Sequence, residues 1–167
     1  TSLDVSNNTA LTDLEFMDNQ LTSMDVSSNT ALTHLNCENN ELTSLNVSSN
    51  TALTYLNISD NELTSLDVSH TNLNTLNCYS NQLTYLNIKT LESQLNSFNA
   101  HNNSLTCIET LDPDWASATW TENIDDGVTF EVICGSEERT NWHVSTTGSD
   151  ISGSATLISP LFSIQTA

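Results

Sequence analysis

The sequence has almost no positive charge: Lys89 and Arg139 are its single lysine and single arginine, against 21 acidic residues, for a formal net charge of -19 over 167 residues. Binding to phosphate needs Lys and Arg, so nucleic acid and anionic membrane surfaces are excluded as principal partners. No apolar run approaches the roughly 20 residues that a membrane-spanning helix requires. The opening TSLDVSNNTA also lacks the basic and hydrophobic blocks of an export signal. That opening already lies inside a repeat, so the chain is expected to be a segment of a longer precursor whose export signal and N-terminal cap lie outside it.

Catalytic motifs are missing too: there is no G-x-S-x-G, no G-x-x-x-x-G-K-(S/T) and no H-E-x-x-H. His34, His70, His101 and His143 are scattered, and no C-x-x-C pair exists to start a zinc site. Acid pairs such as Asp13 and Glu15 fall on a solvated strand face with nothing to sequester them, which leaves no means of raising one carboxylate for acid catalysis. Asp112, Asp114, Asp125 and Asp126 supply oxygens but no calcium-binding loop. The expectation is a chain that is not an enzyme and uses no cofactor or metal.

What the sequence does have is a period. LTDLEFMDNQL, LTHLNCENNEL, LTYLNISDNEL, LNTLNCYSNQL and LNSFNAHNNSL superimpose without gaps, with first leucines at 11, 32, 53, 73 and 95. Asn19, Asn40, Asn61, Asn81 and Asn103 keep the same spacings. Between these segments run LTSMDVSSNTA, LTSLNVSSNTA, LTSLDVSHTN and LTYLNIKTLESQ. A regular apolar repeat of this kind argues against a disordered acidic tail. A repeat of about 20 residues is one coil of a stacked rod in which neighbours bury what a single coil cannot.

The pattern L-x-x-L-x-(C/F/I/A)-x-x-N-x-L resembles the leucine-rich-repeat signature, and L-T-x-L-(D/N)-V-S-x-N resembles the nested 21-residue repeats of Bacteroidetes surface proteins. The match covers about the first two-thirds of the chain. It implies a β-rich solenoid of about five 21-residue coils with short parallel strands. Alternation along each strand places Leu14, Leu35, Leu56, Leu76 and Phe98 inward, with Phe16, Cys37, Ile58, Cys78 and Ala100. The asparagines Asn19 to Asn103 are expected to satisfy backbone groups where each coil turns. A second, narrower strand is expected from the L-(D/N)-V and L-N-I stretches, which carry Thr22, Thr43, Thr64 and Thr84. These threonines are single rather than paired, which ranks an ice-binding role low.

Outward positions on the first strands form three columns: Asp13, His34, Tyr55, Thr75, Ser97; Glu15, Asn36, Asn57, Asn77, Asn99; and Met17, Glu38, Ser59, Tyr79, His101. The middle column is nearly uniform, as a structural amide ladder would be. The other two vary, and variation the fold does not dictate is where recognition resides. Candidate ligand contacts are therefore Asp13, Glu15, His34, Glu38, Tyr55, Tyr79 and His101, with the two tyrosines foremost as rigid amphipathic anchors.

The solenoid is expected over 1–106, with a C-terminal cap over 107–134 and a third segment over 135–167. Residues 104–134, SLTCIETLDPDWASATWTENIDDGVTFEVIC, break the period and resemble the cap that closes bacterial repeats, with its W-T-x-N-I-D motif. Trp115, Trp120, Ile124, Val128, Phe130 and Val132 are expected to cover the last coil. Four cysteines allow three pairings. Cys37 and Cys78 fall about 10 Å apart on stacked coils, beyond disulfide reach, whereas a Cys107–Cys134 bond would close the cap and implies an oxidising, extracellular setting. The segment NWHVSTTGSDISGSATLISPLFSIQTA is similar to the opening of pectate-lyase-like parallel β-helix domains; a tail laid against the cap is the other reading.

Leucine-rich repeats in general imply protein binding. The expected function is a non-catalytic recognition or adhesion module, secreted or at the cell surface, that binds protein or carbohydrate through its concave face within a larger protein. The alternative is an accessory module of a secreted polysaccharide-degrading β-helix enzyme. The sequons at Asn7, Asn46, Asn57 and Asn102 are by-products of an Asn/Ser/Thr-rich repeat.

Overall fold

The computed structural model describes residues 2–89, 91 and 94–135. The third expected segment, apart from Gly135, lies outside the described residues, as does its β-helix resemblance. In chain order the elements are β1 (Ser2–Leu3), β2 (Asp13–Glu15), β3 (Ser23–Met24), β4 (His34–Asn36), β5 (Tyr55–Asn57), β6 (Ser65–Asp67), β7 (Thr75–Asn77), β8 (Tyr85–Asn87), β9 (Ser97–Asn99), β10 (Cys107–Glu109), α1 (Pro113–Trp120) and β11 (Thr129–Glu131). A turn of 3-10 helix over Thr121–Asn123 follows α1.

Every strand pair is parallel, and the strands divide between two faces of a coil, with no second-face strand formed between β4 and β5. One sheet has the order β2-β4-β5-β7-β9, and on the other face β6-β8-β10-β11 form a second sheet, with β1-β3 paired separately. In the five-stranded sheet Leu14, Leu35, Leu56, Leu76 and Phe98 stand in register, one from each coil. All five are buried, together with Phe16, Cys37, Ile58, Cys78 and Ala100. Three-residue strands suffice because only the central residue must point inward, and a fully buried Leu contributes about 1.5–3 kcal/mol over an exposed one. The leucines that open the segments pack into the same core, with Leu32, Leu53 and Leu73 fully enclosed.

Each coil has one residue in the left-handed region just before its ladder asparagine: Asp18 (φ 57°), Asn39 (φ 52°), Asp60 (φ 53°), Ser80 (φ 55°) and Asn102 (φ 55°). The bend requires this conformation, and with only 4 glycines in the chain it is supplied chiefly by Asp and Asn, the non-glycine residues that tolerate it best.

The C-terminal end is closed by α1 and β11. Asp112 accepts the Trp115 amide at 3.0 Å, Pro113 opens the helix and Asp114 lies in its first turn, three features that fix a helix N-terminus. The helix brings Trp120 against Phe98 of the last coil, with ring centroids 5.4 Å apart, and against Phe130 at 6.3 Å. Ala116, Ile124 and Phe130 complete the seal, with Val128 packed partly against it. Val132 does not take part: it is 49% exposed, because the chain leaves β11 at Glu131 to reach the disulfide and no longer runs over the core. Trp115 is 39% exposed and meets the seal in a T-shaped contact with Trp120. Cys107 and Cys134 form a disulfide across 27 residues, and Cys37 and Cys78 are buried free thiols.

Candidate functional site: one face of the five-stranded sheet

The ladder asparagines tie successive coils together beside this face. Asn61 donates to the carbonyls of Ile58 (3.2 Å) and Ser59 (3.1 Å) in its own coil and of Cys37 (3.0 Å) in the preceding one. Its Oδ1 accepts the amide of Leu42 at 3.0 Å. Asn40, Asn81 and Asn103 repeat the pattern, and each sews its coil to the one before. The side chain of Asn19, in the first such segment, donates to the carbonyls of Phe16 and Met17 in its own coil.

The last coil has no following coil, so its amides find a substitute. In the inner coils paired amides of this bend donate to the next coil's carbonyls, as Asp60 does to Tyr79 and Asn61 to Ser80. In the last coil the Asn102 and Asn103 amides donate to the two oxygens of Asp125, each at 2.9 Å. Asp125 is the final residue of the W-T-x-N-I-D motif, and Asn123 in the same motif accepts the Ala100 amide as Asn99 accepts that of Cys78. Burial works against the charged form of Asp125, but the two amides and the nearby His101 outweigh it and hold the carboxyl below its usual range.

The candidate contacts fall into two groups. Near the N-terminal end, His34 Nε2 lies 3.2 Å from Glu15 Oε1, and its ring stacks on Tyr55 with centroids 4.1 Å apart and planes 7° from parallel. The register His34↔Tyr55 produces this contact, since facing residues of adjacent parallel strands sit about 4.8 Å apart. Asp13 is exposed beside them and accepts the Thr12 hydroxyl. Glu38 accepts an amide proton from Asn57 at 2.8 Å.

Toward the C-terminal end, Tyr79 Oη accepts from Asn102 Nδ2 at 2.8 Å. His101 is held on both sides by cap residues, with Nδ1 3.7 Å from Asp125 and Nε2 3.1 Å from the Glu122 carbonyl. The last coil and cap thus claim Tyr79 and His101, whereas Asp13, Glu15, His34 and Tyr55 engage one another and solvent.

The middle column differs from a set of outward polar side chains. Asn36 and Asn57 are buried, because their carbonyl oxygens fold back onto the amides of Glu38 (3.2 Å) and Ser59 (3.1 Å) two residues on. Asn77 and Asn99 do the same for Tyr79 and His101. This is a local turn device and leaves the column little to offer a ligand.

Two features escaped the sequence reading. A second amide ladder runs on the opposite face, where Asn29 donates to Val5 (3.1 Å) and Asn8 (2.8 Å), and Asn50 to Val26 (3.0 Å) and Asn29 (2.9 Å). The repeated N-T-A triplets were its signal. On the second sheet, Lys89 Nζ meets Glu109 Oε2 at 2.8 Å, with Tyr85 Oη at 3.4 Å from the same oxygen and the Cys134 amide on Oε1 at 3.2 Å. These contacts span 20 to 25 residues, and no motif announces them.

Among the described residues no group of three or more His, Cys, Asp or Glu is arranged to hold a metal, and no helix is long and apolar enough to cross a membrane. Asp112 and Asp125 are committed to backbone amides.

No protein-family model and no curated protein matches the sequence. Among solved structures, the functional domain of InlJ from Listeria monocytogenes, described as including a cysteine ladder, is 32% identical over 70% of this chain and 40% of that chain, with a TM-score of 0.49. A leucine-rich-repeat protein of Leptospira interrogans is 22% identical over 68% of this chain and 34% of its own, with a TM-score of 0.56. This chain therefore spans well under half the length of either. The Leptospira likeness speaks to the fold alone, and with the coils described above it makes this chain a leucine-rich-repeat solenoid.

Proposed function

We propose that this chain is a non-catalytic recognition module that binds a protein ligand through the face of its five-stranded sheet, centred on Glu15, His34 and Tyr55. One observation carries the reading: a carboxylate, an imidazole and a phenol from three successive coils are drawn into a connected run, with the two rings half-buried and Glu15 exposed. Such a preorganised surface loses little side-chain entropy when a partner covers it, which is how aromatic anchors gain weight at interfaces. The ladder asparagines and buried leucines serve the fold, so the binding information resides in what varies around them. The closed cap disulfide fits an oxidising setting, and we read the module as secreted or displayed at a cell surface, within a longer protein.

The test is a pull-down of surface proteins alongside a glycan array, run with the whole chain and with Tyr55→Ala and Tyr79→Ala. A protein captured by the unaltered chain and lost with Tyr55→Ala supports the reading. Retention of a glycan instead would move the ligand class to carbohydrate, and capture indifferent to Tyr55 would refute the site.

A further inference from the structure

His34, on β4, covers one face of the Tyr55 ring, with the two planes 7° from parallel. Tyr55 is on β5, between β4 and β7, so its opposite face is turned toward β7. The residue in register there is Thr75, and Ser97 of β9 follows it. Both side chains are far shorter than a tyrosine ring, which overtops them and stays partly exposed. A planar group seated over Thr75 would lie one strand spacing, about 4.8 Å, from the Tyr55 ring, which is a stacking distance. It would extend the pair His34 and Tyr55 into a stack of three.

Charge selects among planar groups. Asp13 stands in register with His34, and Glu15 reaches the same imidazole at 3.2 Å. Glu38 accepts from Asn57, two residues along the strand from Tyr55. On the far side of the slot Thr75, Asn77, Ser97 and Asn99 bring no positive charge. A planar anion is repelled here, and a neutral ring gains stacking alone. A guanidinium gains stacking and the attraction of both the ring face and the carboxylates. An ammonium feels the same carboxylates, but it is compact and strongly hydrated and has no plane to lay on Tyr55.

We propose that the face of Tyr55 turned toward Thr75 is a stacking subsite for an arginine side chain of the partner protein. The inference rests on the reading of this sheet as the binding face and names the group that the partner brings to it. Asp13, Glu15 and Glu38 act through the field they set up rather than by direct contact, so raised salt weakens the preference for arginine without removing the stacking.

The chain has three tyrosines, Tyr55, Tyr79 and Tyr85, so carbon-13 labelling of tyrosine rings in the full chain gives a direct reading with two internal controls. The probes are capped pentapeptides Gly-Ser-X-Ser-Gly in which X is arginine, lysine or citrulline, the last a planar and uncharged counterpart of arginine. The arginine probe should shift the Tyr55 ring signals saturably, with a Kd at least ~3-fold below that of the lysine and citrulline probes. Tyr79 and Tyr85 should not move. Thr75→Phe fills the slot without changing the charge or the number of tyrosines, and it should abolish the Tyr55 response. Thr75→Val keeps the slot open and should retain it. Glu38→Gln is an independent arm that should weaken the arginine probe and leave the citrulline probe unchanged.

Three outcomes overturn the proposal. Equal binding of the arginine and lysine probes would mean attraction to overall charge. An unchanged response in a folded Thr75→Phe chain would place the peptide elsewhere. Citrulline binding as well as arginine would make the slot one for neutral planar groups. This inference and the proposed function fail separately: a captured protein lost with Tyr55→Ala but kept with Thr75→Phe leaves the binding face standing and refutes the arginine subsite alone.

Discussion

The ring of His34 lies against that of Tyr55 at 4.1 Å, nearly parallel, while its far nitrogen reaches Glu15 at 3.2 Å. A cross-strand aromatic contact of this kind is worth about 0.2–1 kcal/mol to the fold. Tyr55→Ala should therefore lower unfolding free energy by no more than about 1 kcal/mol in urea titrations. If Tyr55 anchors a ligand, the same change should cost about 2 kcal/mol or more of binding, roughly 30-fold in Kd. A stability loss as large as the binding loss would make the residue a scaffold element.

Asp125 offers a sharper stability test, because it replaces two backbone carbonyls with one charged group. Asp125→Asn should destabilise the chain at neutral pH by about 1–3 kcal/mol, since an amide cannot accept both donors equally well. The pH dependence has a definite sign. Asp125 titrates lower in the folded chain than when unfolded, so its stabilisation is present above the unfolded carboxyl value of about 3.9 and fades as pH falls through the lower folded value. Urea midpoints at pH 7 and pH 3 should show the gap between Asp125→Asn and the unaltered chain narrowing on acidification. A gap constant with pH would contradict the assignment.

Position along the rod should set the cost of losing a ladder asparagine. Asn61 joins two coils and is buried, so Asn61→Ala strands several backbone groups and should cost about 2–4 kcal/mol. Asn19 serves its own coil and is exposed, so Asn19→Ala should cost under about 1 kcal/mol. Chemical denaturation of both variants checks the order, and equal losses would mean that the bonds between coils add nothing.

Burial pushes the thiols of Cys37 and Cys78 up to about 12. At pH 8 about 1 in 10,000 of each is thiolate, even before access is considered. Alkylation followed by mass spectrometry should find no adduct on the folded chain and two after unfolding without reductant. Reductant and denaturant together should give four. Opening the Cys107–Cys134 bond should cost about 3 kcal/mol by chain entropy, read as a lower midpoint in reducing urea.

The leucines could be read directly because stacking repeats one requirement in every coil: Leu35, Leu56 and Leu76 recur at the repeat spacing and are buried in register. The second strand was legible for the same reason. The cap was legible in kind but not in detail. Asp125 resembles its acidic neighbours until the coil before it runs out of carbonyls, and Val132 looks like seal until the chain turns toward Cys134. Asn29 and Asn50 were marked by the repeated N-T-A triplets, but an Asn-rich repeat offers many amides, and geometry was needed to show that these bridge coils. The pairing of Lys89 with Glu109 depends on which coils abut and leaves no trace in local sequence. Alternation put the candidate contacts along the first strands, yet their division into a run around His34 and a set claimed by the last coil and cap needed coordinates.

Footprinting is the most direct test of the central claim. With a captured protein ligand bound, hydroxyl-radical oxidation should fall at Tyr55 and His34 and stay unchanged at Tyr85 on the second sheet and at His70 in the turn after β6. Protection confined to the second sheet, or none at Tyr55 under saturating ligand, would contradict the account.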